Sequence, residues 1–183
     1  MGIQEKLDDL RKILDRVITD KDDPHNYLPI YEKEMIKTKD VSLLEIGVAY
    51  GGSLLLWDSY LENATICGVD LYPKFDGVVP EGIEYKVHVI DSMDKKACDL
   101  AFQDETFDYI IDDGLHTVES QLKTFDNYFP KLKSGGKYFI EDIEIPENIV
   151  TIKRHLLKYD YTFYDLRSIS DTPDDMLFVI TKE

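Results

Sequence analysis

The sequence predicts an α/β fold: a doubly wound sheet of seven strands, mostly parallel, with an antiparallel strand at one edge and one or two helices ahead of it. Three observations lead there. Short apolar runs ending in Gly or Asp alternate with stretches whose apolar residues recur every three or four positions, from Val41 to Tyr159. The last two apolar runs follow one another with no helical stretch between them, which sets an antiparallel pair at the edge. Ahead of Val41 the periodicity is helical only.

Taken in order, Ile3, Leu7, Leu10, Leu14, Val17 and Ile18 share one face and predict an amphipathic helix ending near Thr19. The polar run Asp20-Lys21-Asp22-Asp23-Pro24 stops it, and a second helix follows from about Tyr27 to Lys37. Val41 to Ile46, bounded by Gly47, reads as a buried strand. A helix starts at Gly52-Ser53 and runs through Trp57 and Leu61. Ala64 to Asp70 and Glu84 to Ile90 are the second and third strands, Lys95 to Gln103 a helix, and Phe107 to Asp112 the fourth strand. Val118 to Phe129 is helical, with Leu122, Phe125 and Phe129 on one face. Gly136 to Ile140, introduced by Ser134-Gly135, is the fifth strand, and Pro146 suits the first turn of a helix reaching about Tyr159. Tyr161 to Arg167 and Met176 to Lys182 close the sheet across a polar, Pro-containing loop. No repeat or composition shift divides the chain, so a single domain over 1–183 is expected, with helices over 1–40 and the sheet core over 41–183.

Composition narrows the function. With 21 Lys+Arg against 37 Asp+Glu the net charge is −16, which argues against a nucleic-acid partner, since neutralising phosphates needs clustered cations. At 43% hydrophobic the chain has material for a real core. It contains no apolar run of the roughly 18 to 20 residues a membrane span needs, and Met1 to Lys6 lack the apolar segment of a signal peptide. Cys67 and Cys98 stand alone, which suggests neither a disulfide framework nor a thiolate metal site. An intracellular, cytoplasmic protein is expected.

In a doubly wound sheet ligands bind at the carboxyl ends of the strands, where the strand order reverses. The first strand runs into Gly47-Val48-Ala49-Tyr50-Gly51-Gly52-Ser53, a turn whose glycines let a ligand approach the backbone. Ala49 occupies the middle position of the dinucleotide pattern G-x-G-x-x-G, which argues against a dehydrogenase. Asp70, 23 residues after Gly47, ends the second strand and can accept hydrogen bonds from a ribose; the alternative is a solvated turn acid. Asp91-Ser92 ends the third strand, within reach of an adenine ring or as a helix cap. Strand four ends in Asp112-Asp113-Gly114-Leu115-His116 and strand five in Glu141-Asp142. Carboxylates so stacked repel unless a positive charge lies between them, and magnesium fits that composition; exposed loop acids are the plain alternative. His116, three residues after Asp113, can act as a general base, whereas His25, His88 and His155 read as capping or surface residues.

Together, Leu44-Glu45-Ile46-Gly47, Gly51-Gly52-Ser53, Gly68-Val69-Asp70, Phe107 to Gly114 with His116, and Gly135 to Asp142 resemble the class I S-adenosylmethionine-dependent methyltransferases. More narrowly they are similar to the metal-dependent sugar O-methyltransferases of the mycinamicin and macrocin family, and Thr19-Asp20-Lys21, His25 and Tyr27 look like a stretch preceding that fold. The resemblance implies a Rossmann-like core and S-adenosylmethionine as cofactor. It implies that Glu45, Gly47 and Ser53 cradle the methionine part, that Asp70 takes the ribose and that Asp91 lies near the adenine, with Ser92 and Asp112 also on the cofactor side. It implies that Asp113, Glu141 and Asp142 hold magnesium, and that His116 is the base beside Asp113. The acceptor is then a hydroxyl of a small molecule or glycan, and a homo-oligomer is suggested. Leu115, where a small polar residue is common, departs from the pattern and bears on the acceptor pocket. A metal-independent methyltransferase, a non-catalytic cofactor-binding domain and a hydrolase or hydroxylase using the same acids with another metal remain as alternatives.

Overall fold

The computed structural model describes residues 1–14, 18–75, 78–145 and 147–183. Seven strands, β1 (Ser42–Ile46), β2 (Thr65–Asp70), β3 (Lys86–Val89), β4 (Phe107–Asp112), β5 (Leu132–Ile140), β6 (Asp160–Asp165) and β7 (Met176–Thr181), form one sheet in the order β3-β2-β1-β4-β5-β7-β6. Strands β1 to β5 pair in parallel, and β7 runs antiparallel between β5 and β6. The antiparallel pairing is therefore at one edge, as the missing crossover helix requires, with β7 one place in from the edge. The order reverses between β1 and β4, the place where a doubly wound sheet opens a crevice.

Helices α1 (Ile3–Leu14), α2 (Leu28–Glu34), α3 (Gly52–Tyr60), α4 (Lys95–Ala101), α5 (Val118–Tyr128) and α6 (Asn148–His155) cover the sheet, and a short α7 (Arg167–Ser170) lies in the loop read from sequence as irregular. Strand β5 starts at Leu132, ahead of the expected Gly136, because Leu132 pairs with Phe107 across a register shift. Helix α2 is shorter than expected: the Met35 N–H closes the last turn on Tyr31, and Met35 leaves helical geometry. The expected roles of Val17 and Pro146 fall outside the described residues. No helix among the described residues is long and apolar enough to cross a membrane.

Strand alternation builds two cores, because successive side chains point to opposite faces. Leu44, Ile46, Ile110, Tyr138 and Ile140 face one way and pack with Cys98, Phe102, Phe125, Tyr128 and Ile152 of α4, α5 and α6. Leu43, Tyr109, Ile111, Phe139 and Val179 face the other way and meet Ile3, Leu7, Leu28, Tyr31, Leu56 and Trp57 of α1, α2 and α3. Both cysteines are buried and free, and burial pushes the Cys67 thiol up to about 12.

Asp108 locks the far end of the sheet. Its carboxylate accepts from the Ser42 backbone N–H (2.9 Å), the Ser42 hydroxyl (3.0 Å) and Lys133 Nζ (2.7 Å), tying β4 to β1 and β5. Burial opposes its ionisation, but Lys133 and Ser42 hold the carboxyl at about 2. A depressed folded pKa means that the stabilisation is present above the unfolded value of about 4 and is lost as pH falls towards the folded one. Asp108→Asn is expected to lower unfolding free energy at pH 7 by about 1 to 2 kcal/mol after screening. In urea denaturation the gap from wild type should close between about pH 4 and pH 2.

Candidate active site

The same alternation gathers the acids. Leu43 and Ile111 face α1 to α3, and so does Phe139; two residues on, Glu45, Asp113 and Glu141 continue those rows on neighbouring strands. The ladder extends past the strand ends, since Asp113 N–H donates to Ile46 and Glu141 N–H to Asp112. Asp112 falls on the opposite face. It is buried, accepts from the Tyr138 hydroxyl (3.3 Å), and burial pushes its carboxyl up to about 7 against that bond and the Gly114 N–H. The β1 turn and the β4 turn touch: a Cβ on Gly47 (φ +87°) would lie 1.9 Å from the Asp113 carbonyl oxygen, so only glycine fits.

A strap from Ile18 to Leu28 crosses over these strand ends. Lys21, only 1% exposed, places Nζ 2.6 Å from Asp113 Oδ2, 2.5 Å from Glu141 Oε2 and 3.5 Å from Glu45 Oε1. Burial disfavours the ammonium, but Asp113, Glu141 and Glu45 keep its pKa well above the usual lysine range. The Tyr31 hydroxyl donates to the other Glu141 oxygen, Oε1. Burial pushes the Glu141 carboxyl well up; Lys21 pulls the other way, and Asp113 and Asp142 add to the rise. Glu45 is fully buried, accepts from Ser53 Oγ (2.7 Å), and is pushed by burial up to about 7 with Lys21 opposing.

Asp142 leaves the strand alternation because its backbone turns left-handed (φ +54°). Gln121 of α5 holds that turn, donating from Nε2 to the carbonyls of Glu141 (3.0 Å) and Asp142 (3.1 Å). The Tyr27 hydroxyl donates to Asp142 Oδ1 (2.6 Å), and the His25 ring stacks on Tyr27 with Nδ1 3.6 Å from both Asp142 and Asp175. His25 is thus a buried part of the site and not the surface residue its sequence suggests. His88 packs on the Phe102 ring and His155 pairs with Asp126.

Asp113, His116 and Asp142 each bring one ligand atom to within 4.8 Å of the other two. His116 stands just before the α5 N-cap Thr117, with Nε2 3.5 Å from Asp113 and 3.6 Å from Asp142, buried and without a hydrogen-bond partner. Burial disfavours the charged ring, but Asp113, Asp142 and Asp112 hold its pKa at about 9. Burial alone would raise Asp113; Lys21 and His116 reverse that and hold its carboxyl below the ordinary range. The two carboxylates suit a divalent cation, and the unsatisfied imidazole nitrogen stands beside them. Glu141, expected beside Asp113 and Asp142, lies outside this group with both oxygens engaged by the strap.

A cavity of about 650 Å³ opens along this rim. Gly47, Ser53, Asp70, Asp91 and Ser92 line it, as do Asp113, His116 and Asp142, whereas Glu45, Asp112 and Glu141 lie behind its wall. Asp70 braces the glycine turn, accepting from Val48 N–H (2.9 Å), Ala49 N–H (2.8 Å) and Tyr72 N–H (2.7 Å). Asp91 closes a small turn on Met93 N–H (2.9 Å) while Asp94 caps α4, and Ser92 Oγ bonds Thr124 Oγ1. Sequence reasoning did not single out Lys21, Tyr31 or Gln121 as site residues. Lys21 sits in an acidic run that marks a helix stop; the family-like stretch Thr19-Asp20-Lys21 is the one signal there, and it assigns the lysine no role.

This strand order, with a glycine turn after β1 and an acid at the end of β2 on one cavity, defines a Rossmann-like domain that takes a nucleoside-type cofactor. The chain belongs to a methyltransferase family: residues 44–143, more than half of it, match the family described as a methyltransferase domain. It is 33% identical over 132 residues (65% of this chain, 32% of the relative) to 8-demethyl-8-(2-methoxy-alpha-L-rhamnosyl)-tetracenomycin-C 3'-O-methyltransferase of Streptomyces olivaceus. It is 30% identical over 148 residues (74% and 36%) to demethylmacrocin O-methyltransferase of Streptomyces fradiae. The chain thus spans about a third of the length of these curated relatives. Its fold is similar to that of the MycE methyltransferase from the mycinamycin biosynthetic pathway, solved in complex with Mg and SAH. The TM-score is 0.74 at 22% identity, covering 97% of this chain and 54% of that one.

The strap reaches the site only because α3 begins with a glycine. A Cβ on Gly52 would lie 1.4 Å from the Ile18 carbonyl oxygen. Gly52→Ala is expected to destabilise by about 2 kcal/mol or more through overpacking, seen in calorimetry as a Tm lower by about 4 to 8 °C.

Proposed function

We propose that the protein transfers the methyl group of S-adenosylmethionine to a hydroxyl oxygen of a small molecule, a sugar or glycan before others, with magnesium or a similar divalent cation at Asp113 and Asp142. The observation that carries this reading is the Asp113, His116 and Asp142 group opening into the same cavity as the glycine turn and Asp70. Two further facts support it: two curated relatives are named as O-methyltransferases of rhamnosyl tetracenomycins, and the MycE structure holds Mg and SAH.

In this reading the Gly47 to Ser53 turn presents backbone to the cofactor's methionine part, Ser53 steadied by Glu45. Asp70 braces that turn and offers its remaining lone pairs to the ribose, with Asp91 and Ser92 at the adenine end. Asp113 and Asp142 hold the cation, with Glu141 behind them and His116 at their side. When bound, the ion acidifies and orients an alcohol. The acceptor oxygen forms its bond to the methyl carbon as the carbon–sulfur bond breaks, and the hydroxyl proton passes to His116 Nε2. In the metal-free protein the surrounding carboxylates favour the charged ring. A cation held by those carboxylates would offset their charge and favour the neutral ring that accepts the proton. Leu115, 64% exposed at the mouth, gives the acceptor an apolar contact beside the polar rim.

Two measurements test the reading. With S-adenosylmethionine, magnesium and a panel of simple glycosides, His116→Ala is expected to lower turnover by roughly 10² to 10⁴, while affinity for S-adenosylhomocysteine, measured by calorimetry, stays unchanged. A loss of only about two- or three-fold, well below a general base's usual share, would reduce His116 to a turn residue. Asp142→Asn should abolish the magnesium dependence of turnover. Wild-type turnover that persists undiminished in EDTA would instead favour a metal-independent methyltransferase.

A further inference from the structure

We propose that Lys21 is a built-in cation of the active site: its ammonium holds Glu45, Asp113 and Glu141 in one group ahead of any divalent ion and aims Asp113 at the cation position. The inference deepens the reading above and rests on it for the divalent ion.

The geometry is that of a fixed charge. The three ammonium protons face three carboxylates, at 2.5 Å for Glu141, 2.6 Å for Asp113 and 3.5 Å for Glu45. Glu45 Oε1 is buried and has no hydrogen-bond partner, so Lys21 is the positive charge that faces it. Lysine is almost never fully buried unless paired, and here it is 1% exposed. Its backbone is tied down on both sides. Tyr27 N–H donates to the Lys21 carbonyl (2.9 Å), His25 N–H to that of Asp20 (3.2 Å), and Arg11 grips Asp22. The ammonium is therefore delivered to one place by the strap and does not wander there on a free stem.

Asp113 connects this group to the cation position. Its Oδ2 accepts a hydrogen bond from the Lys21 ammonium, while Oδ1 faces His116 Nε2 at 3.5 Å. Glu45, on the other side of Lys21, bonds Ser53 of the glycine turn. One ammonium thus joins the carboxylate beside the cofactor turn to the carboxylate at the cation group. Lys21 is a positioning residue here, since it is absent from the cavity wall. Without it the buried Glu45 and Glu141 and the cavity-edge Asp113 face one another, and a divalent cation becomes the charge that can hold them together.

Thermal melts of the full chain in EDTA and in magnesium test this for wild type, Lys21→Met and the double variant Lys21→Met/Glu141→Gln. In EDTA, Lys21→Met should melt at least about 6 °C below wild type, as expected for breaking a buried ion pair. Magnesium should raise its Tm by more than it raises that of wild type. The double variant, which removes the matching negative charge, should recover at least half of the EDTA loss. An equal loss in both buffers with no recovery in the double variant overturns the proposal, because a merely packed side chain behaves that way. If Lys21→Met fails to fold, a folded double variant supports the proposal and an unfolded one overturns it. Calorimetry of wild type with S-adenosylhomocysteine is read separately. A wild type that binds neither it nor magnesium removes the function proposed above, while the EDTA comparison still decides the role of Lys21.

Discussion

The buried ammonium of Lys21 among Glu45, Asp113 and Glu141 is the interaction on which the rest of the site depends. Parallel strands with one side-chain period bring acids to one face at the ends of β1, β4 and β5, with Glu45 and Glu141 buried and Asp113 at the cavity edge. Such a row is electrostatically unfavourable by itself: burial raises the cost of each charge, and each neighbour raises it further. The chain answers with a lysine from a distant segment, and hydroxyls of Tyr27 and Tyr31 satisfy further carboxylate oxygens. The charge left over faces the cavity, at Asp113 and Asp142 beside His116, where a cation or a cofactor can meet it.

The close approaches in the backbone follow from the same arrangement. Gly47 lets the β1 turn lie against the Asp113 carbonyl, and Gly52 lets the strap pass over the start of α3. A β-carbon at either place would separate the strap, the glycine turn and the β4 turn, which together carry the acids and their counter-charge. The left-handed Asp142 serves the same end. Its backbone turns the carboxylate out of the strand alternation, and the Gln121 amide fixes that turn from the neighbouring helix. The residues that hold the site are thus spread over the strap, four strand ends and α5.

Division of labour along the rim is also visible. Asp70 braces the backbone of the glycine turn, and Ser53 at its far end bonds Glu45 of β1. Asp112 belongs to the other core face and bonds Tyr138, which separates it chemically from the adjacent Asp113. Two neighbouring aspartates therefore have opposite proton affinities for a reason of geometry: one is held ionised by Lys21, the other is pushed towards neutrality by burial.

The sequence by itself determined the sheet, because apolar runs of one period alternating with helical runs have few other ways to bury their surface. It also placed Asp70 and Asp91 directly after apolar runs, and Asp113, His116 and Asp142 in the turns that follow β4 and β5. Even the opposed facing of Asp112 and Asp113 was implicit in the strand period. What only the tertiary structure decided is which groups meet across long stretches of chain. Lys21 is 92 residues from Asp113 and 120 from Glu141, and Tyr31 is 110 from Glu141. A lysine in an acidic run looks solvated until a strap carries it over the sheet, because burial and the sign of a neighbour's charge are properties of packing, not of local pattern. The same packing drew His25 into the site and engaged both Glu141 oxygens with Lys21 and Tyr31, which no spacing along the chain foretells.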